Sequence, residues 1–251
     1  MTGPALAKLL LFWGSFVFMA VAERWRAARP GPALAARLRV NGPFVLVAGL
    51  VGTFWTLPLA RLAFDASPLA LPLGGVWLVA AHLIVLDGWM YLWHRLVHTV
   101  QPLWRFHEVH HLDDHLDSTT ALRFHGAELL AAGVFHTIPL VALGIPPEHV
   151  ALYGAVMGPC VFWHHSNLAL SPALDRALQW VVVTPGWHRA HHHAQRAHTD
   201  SHYGVVLTVW DRLLGTAPVA ARSADLPFGV EGGAPRGWSF WALMARPFSK
   251  T

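Results

Sequence analysis

Cysteine is nearly absent: Cys160 is the only one in 251 residues, which excludes an internal disulfide, a thiolate zinc site and an iron–sulfur cluster. Charge is sparse too, at 13% of the chain. Neither a C-x-x-C-H haem-attachment motif nor a glycine-rich dinucleotide fingerprint occurs, so any electrons the protein uses must come from a separate reductase or carrier. No internal repeat or low-complexity segment stands out. What replaces charge is apolar: hydrophobic residues make up 54% of the chain and the mean hydropathy is +0.40, which suits a polytopic membrane protein better than a soluble globule. Thirteen tryptophans agree, because indole favours the membrane interface. The pI near 9.8 comes from scattered arginines rather than a dense basic patch, so no nucleic-acid partner is expected.

Apolar spans run near residues 5–22, 43–62, 73–93, 127–143 and 149–163. About 20 helical residues cross a hydrocarbon core roughly 30 Å thick, so the first three are long enough and the last two a little short. Gly144, Ile145, Pro146 and Pro147 read as the tight tip joining the last two. The first span imitates a signal peptide, with Lys8 before an apolar run and Ala20-Val21-Ala22 after it. The following stretch carries Arg24, Arg26, Arg29, Arg37 and Arg39, which resists translocation. A retained helix is therefore expected, with that basic loop in the cytoplasm. The third span then delivers its C-terminal end to the cytoplasmic face, and the last two enter and leave from the same side. Trp89, Tyr91 and Trp93 fit either an aromatic belt or a substrate contact.

Histidine is where chemistry concentrates. His94 and His98 form H-x3-H; His107, His110 and His111 form H-x2-H-H; His188, His191 and His192 repeat it. Residues three and four apart share a helix face, so each cluster presents its imidazoles side by side as metal ligands must. Eight such nitrogens exceed the four to six that one ion accepts, which implies two metal ions. Imidazole suits Zn, Cu, Fe and Ni alike; among these, iron with an open position can bind and reduce dioxygen, and a site beside a bilayer favours oxidation of apolar carbon. Metal-bound histidine needs its other ring nitrogen tethered, and Asp87, Glu108, Asp113, Asp114, Asp117 and Asp211 are nearby carboxylates for that task, Asp87 and Asp211 foremost.

Two other classes compete. His107, Glu108, His110 and His111 also satisfy H-E-x-x-H, in which His107 and His111 would bind zinc and Glu108 would activate water in an intramembrane protease. That reading leaves the other clusters unexplained. A metal-transport module would place its ligands near the bilayer middle, where only His82 and His136 fall, and these read as buried neutral histidines. His149 at the hairpin tip, His193 beside the third cluster and His198 in a polar turn read as surface residues. Ser171-Pro172 caps a short amphipathic stretch that reads as lying on the membrane surface.

The stretch D-G-W-M-Y-L-W-H-R-L-V-H from Asp87 to His98, then W-R-F-H-E-V-H-H, R-F-H-G-A-E, H-H-S-N, T-P-G-W-H-R-A-H-H and Y-G-V-V-L-T-V-W-D-R-L-L-G-T resembles the fatty acid hydroxylase and sterol desaturase superfamily. The resemblance covers about half the chain, from Asp87 to Thr216, with its motifs in the expected order. It implies an all-α, polytopic transmembrane helix bundle under a cytoplasmic, histidine-rich helical cap, forming a single integral membrane domain over residues 1–251. It also implies two irons that activate dioxygen to hydroxylate or desaturate a fatty acyl, sterol or other isoprenoid lipid. Electrons would arrive through a reductase with a ferredoxin or cytochrome b5-like carrier. Carried over by position, His165 becomes a further metal ligand, and His125 a ligand or a donor to one, beside His94, His98, His107, His110, His111, His188, His191 and His192. Two positions depart from the family pattern: Gly126 stands where proline is usual, and His202 where asparagine is usual. Trp210-Asp211-Arg212 matches the terminal signature and is expected to brace the cap through an ion pair and ring packing. The expected location is a bacterial inner membrane with the metals facing the cytoplasm, or the endoplasmic reticulum membrane in a eukaryote.

Overall fold

The structure, a computed structural model, describes residues 3–68, 75–217, 227–232 and 237–249. These residues form helices and turns, and the only β pairing among them is three isolated bridges. Five long helical segments make the bundle. They are α1 (Gly3–Trp25), α2 (Leu34–Asp65), α3 (Gly75–Thr99), α5 (Gly126–Leu143) and α6 (Pro147–His165), with α4 (Gln101–His111) following α3. Three of them, α2, α3 and α5, are long and apolar enough to cross a membrane. Their outer faces remain apolar where no protein covers them: Phe54 on α2 is 74% exposed and Trp77 on α3 is 75% exposed. Water would penalise such faces, whereas lipid does not.

Sequence chemistry places the helix ends. Gly144 takes a left-handed conformation with φ +61 and ends α5, a backbone that a side chain would strain. Pro147 then opens α6, so the hairpin tip lies where expected. α2 starts earlier than its apolar run suggests, at Leu34, which turns Arg37 and Arg39 from loop residues into helical ones. Arg37 is buried there, with Nη2 2.6 Å from Asp113 Oδ2 and Nε 2.9 Å from Asp117 Oδ2. A guanidinium in so dry a place persists only because two carboxylates face it. Asp113 also meets Arg123 Nη2 at 3.3 Å, and the Arg123 Nε donates to Asn41 Oδ1 at 2.8 Å. Asp113 and Asp117 therefore join α2 to the segment after α4 rather than tethering a histidine.

The same end of the bundle gathers the other helix termini. Glu23, near the end of α1, is buried and accepts hydrogen bonds from the backbone of Ser118 at 3.0 Å and of Asn167 at 2.9 Å. The starts of α2 and α5 and the ends of α1, α3 and α6 thus lie together around the 111–125 segment. A core of Ala63, Leu86, Leu140, Ile145 and Tyr153 fills the space between α2, α3, α5 and α6.

The cap is built from short pieces: α7 (Pro172–Leu178), α8 (Pro185–His191), α9 (Val209–Leu213) and α10 (Phe240–Ala245). Ser171 Oγ accepts from Leu174 N at 3.3 Å and caps α7 as its sequence suggests. Thr184 Oγ1 does the same for Trp187 N of α8 at 3.2 Å. The segment around Trp238–Phe248 docks on α2 and α4: Phe240 packs edge-on to Phe44 at 4.9 Å, and Leu243 is fully buried in a cluster with Phe44, Val109 and Leu112. Trp89 stacks on Phe135 at 4.8 Å, while the Tyr91 hydroxyl is hydrogen-bonded to Thr216 Oγ1 at 2.9 Å. Both aromatic side chains are occupied within the fold.

Candidate metal centre

His94 and His98 lie one turn apart near the end of α3, His107, His110 and His111 on α4, His165 at the end of α6, and His188, His191 and His192 on and just after α8. Tertiary folding sorts them into two groups: His94, His98, His107, His111 and His191 in one, and His110, His165, His188 and His192 in the other. Within each group one ring nitrogen per residue lies within 4.8 Å of all the others, and every member is buried. The groups abut, since His110–His111 and His191–His192 are chain neighbours divided between them. His111 and His192 stack across the boundary with ring centroids 4.4 Å apart.

Six of the nine outer ring nitrogens are tethered, those of His111, His188 and His192 being buried without a partner. Nδ1 of His94 contacts the Tyr203 carbonyl at 2.9 Å, that of His191 the Ser201 carbonyl at 2.7 Å, and that of His98 the Asp200 carboxylate at 3.2 Å. Nδ1 of His107 meets Glu128 Oε1 at 2.8 Å. In the second group, His110 and His165 donate to the carbonyls of Arg123 at 3.2 Å and Val161 at 2.8 Å. Each of these partners only accepts, so the proton sits on Nδ1 and the Nε2 lone pair points inward.

Those inward nitrogens lack ordinary partners. Nε2 of His98, His107 and His191 is buried without a hydrogen bond. In the second group Nε2 of His110 and His165 approach to 3.0 Å, His165 and His188 to 3.0 Å, and His188 and His192 to 3.1 Å. With the protons of His110 and His165 both spent on carbonyls, their close contact sets lone pair against lone pair. A cation removes that conflict: two nitrogens about 2.1 Å from one ion at right angles sit about 3.0 Å apart. Burial, followed by neighbouring imidazoles, pushes His110, His111, His188, His191 and His192 well below the usual histidine range. The rings are thereby kept neutral, the form a metal ion takes. The residues present fit a pair of imidazole-bound metal ions.

Several expected residues lie elsewhere. His125 joins neither group: its Nδ1 accepts from Ala127 N at 3.1 Å as the cap of α5, and its Nε2 faces the Met244 carbonyl at 3.2 Å. Asp87 touches no histidine of the groups. It accepts from the Tyr153 hydroxyl at 2.9 Å, Trp210 Nε1 at 2.8 Å and the Val206 and Leu207 amides, pinning the segment before α9 to α3. Asp211 likewise acts at one remove, accepting from the amides of Tyr203 at 2.7 Å and Gly204 at 2.8 Å; Tyr203 in turn holds His94. The expected brace through Trp210-Asp211-Arg212 uses hydrogen bonds and rings, with the Arg212 guanidinium 4.4 Å from the Trp180 ring. His193 is buried, not on the surface, but its Nδ1 accepts from Gln195 N at 2.9 Å, away from both groups. His202 bonds Ser201 Oγ at 2.7 Å, and His164 packs on His188 at 4.2 Å without joining a group. His149, expected on the surface, is half-buried and meets His82 Nδ1 to Nδ1 at 2.8 Å.

The position of Glu108 speaks against the H-E-x-x-H alternative. Its Oε1 is paired with Arg246 Nη2 at 2.9 Å, so the carboxylate serves α10 and its extension instead of a water at His107 and His111. Reading the sequence missed Glu128 and Asp200 as tethers. Glu128 closes the R-F-H-G-A-E motif, the one signal that pointed to it.

Fold and site together define an integral membrane, all-helical protein with a histidine-lined, buried centre at one end of its bundle. Residues 79–216 match the Fatty acid hydroxylase family model. The chain is 31% identical over 213 residues to the ornithine lipid hydroxylase OlsE of Rhizobium tropici, covering 82% of this chain and 62% of that protein. It is 32% identical over 148 residues to the alkylglycerol monooxygenase of Homo sapiens, covering 58% of this chain and 32% of that one. With the cholesterol 25-hydroxylase of Homo sapiens it shares 27% over 199 residues, covering 78% and 68%. The chain belongs to the fatty acid hydroxylase family. It spans under two thirds of the length of the first two relatives, and no solved structure matches it.

Proposed function

We propose that this chain is a dioxygen-dependent lipid hydroxylase that holds one iron in each histidine group, His94, His98, His107, His111 and His191 around one and His110, His165, His188 and His192 around the other. The observation that carries this is the pair of adjacent groups in which six outer nitrogens are tethered to acceptors and the inner nitrogens of His110 and His165 face one another unprotonated. Bound iron would supply the activation of dioxygen against an unactivated C–H bond. The chain's own residues do the rest. The carbonyls of Tyr203, Ser201, Arg123 and Val161 fix the ring orientations, and the walls formed by buried Trp104 and Tyr203 and half-buried Phe124 exclude water from the rings. The apolar flanks of α2 and α3 keep the protein where a lipid substrate dissolves.

The names of the relatives, a hydroxylase of ornithine lipid, a monooxygenase of alkylglycerol and a hydroxylase of cholesterol, favour hydroxylation over desaturation and a lipid over any soluble substrate. Arg24, Arg26 and Arg29 lie at the end that carries the histidines, which supports a cytoplasmic location for that end by the positive-inside tendency. Electrons come from a separate reductase with a ferredoxin or cytochrome b5-like carrier. Purification in detergent from iron-replete cells tests the reading: about two irons per chain, with oxygen uptake and a singly hydroxylated product when host lipid fractions and reductant are added, supports it. About one zinc per chain, or no oxygen uptake with any lipid fraction, overturns it.

A further inference from the structure

The two histidine groups differ in what stands behind them. In the five-histidine group, two outer nitrogens donate to carboxylates: His107 to Glu128 at 2.8 Å and His98 to Asp200 at 3.2 Å. In the four-histidine group, His110 and His165 donate only to main-chain carbonyls, and the Nδ1 atoms of His188 and His192 are buried without partners. Among the described residues no carboxylate bonds to a member of the second group.

Glu128 is the more telling of the two. Its side chain is 3% exposed and the facing His107 side chain 2% exposed, and its second oxygen is buried without a hydrogen bond. It stands in the first turn of α5, whose N-terminus favours a negative charge, yet no arginine or lysine pairs with it among the described residues. The cationic partner nearest to hand is whatever sits on the far nitrogen of His107. A carboxylate accepting from Nδ1 raises the electron density on Nε2, and so strengthens that ring as a ligand, more than a neutral carbonyl does. Asp200, 35% exposed and shared with Arg196 at 2.8 Å, adds a weaker contribution of the same sign.

We infer that the two metal positions are unequal and fill in order: Glu128 is a positioning residue that, through His107, makes the five-histidine site the tighter one, and the four-histidine site takes its ion second. This rests on the two-ion reading above. It concerns the chain's affinity for a divalent cation and not its turnover.

The test is an anaerobic titration of the metal-free full chain in detergent with Co(II), followed by visible absorption and by competition with a chelator. Two resolved steps are expected. Glu128→Gln, close to Glu in shape and still able to accept from Nδ1, should weaken the first step by about 10- to 100-fold and leave the second unchanged. Asp200→Asn should weaken the same step less. His165→Ala should remove the second step and spare the first, which fixes the order. Helicity measured by circular dichroism on each variant separates a site effect from misfolding; a general loss of structure would instead lower both steps together. The inference is overturned if Glu128→Gln leaves both steps unchanged or weakens both alike in a folded protein, or if His165→Ala removes the tighter step. A wild-type chain that binds two ions with equal affinity overturns it while sparing the proposed function. A chain that binds one ion or none overturns both.

Discussion

At the residue scale, the informative histidines are those split between groups although adjacent in the chain. His110 looks away from His111 and into the four-histidine group, with only three companions to share an ion. His110→Ala should therefore lose about half of the bound metal, measured by elemental analysis, and all lipid turnover. His193 is the contrasting case, buried beside the third cluster but bonded to Gln195 N. His193→Ala should keep its full metal content and lose only about 1 kcal/mol of stability for that bond; metal loss there would show the grouping to be wrong. Glu108→Gln separates the oxidase from the protease. With Glu108 committed to Arg246, the variant should retain metal content and lipid hydroxylation, whereas a water-activating glutamate would make it inactive.

At the scale of elements, the arrangement depends on how α2 meets the segment that follows α4. Arg37 faces Asp113 and Asp117 in a buried cluster, and Arg123 in that cluster presents its carbonyl to His110. Removing one member of a buried ion pair leaves charge without compensation and typically costs about 3–5 kcal/mol. Arg37→Met should thus lower the thermal unfolding midpoint in detergent sharply, and metal at the four-histidine group should become easier to strip with a chelator. The hairpin tip at Gly144, the continuation of α3 through His98 and the spans of α2 and α3 were legible from hydropathy and from glycine and proline placement, whereas α5, whose apolar run reads as a little short, is long enough to cross once its helix starts at Gly126. The early start of α2 was not, because Arg37 and Arg39 look like loop residues until their partners, roughly 80 positions away, are brought to them.

For the whole molecule, stability and metal content are coupled. Nine buried imidazoles converge here, and the six with Nδ1 held by an acceptor turn lone pairs inward, an interior that repels itself without cations. An ion that binds only the folded state adds about 2.7 kcal/mol when present at a hundred times its dissociation constant. Chelation should therefore lower the unfolding midpoint of the wild-type chain markedly, and readdition of iron should restore it. An unfolding midpoint indifferent to metal would contradict the centre described here.

The sequence by itself determined the membrane habit, the helical class and eight of the nine clustered histidines, because hydropathy and three- and four-residue spacing are local properties that a helix converts directly into geometry. It also carried the family signature, which supplied His165. Only tertiary structure decided how those histidines divide into a group of five and a group of four, that His125, Asp87 and Asp211 stand outside them, and that Glu128 and Asp200 stand behind the first. Those partners lie 21 and 102 positions from the rings they hold. No periodicity reaches that far; packing of separate helices does.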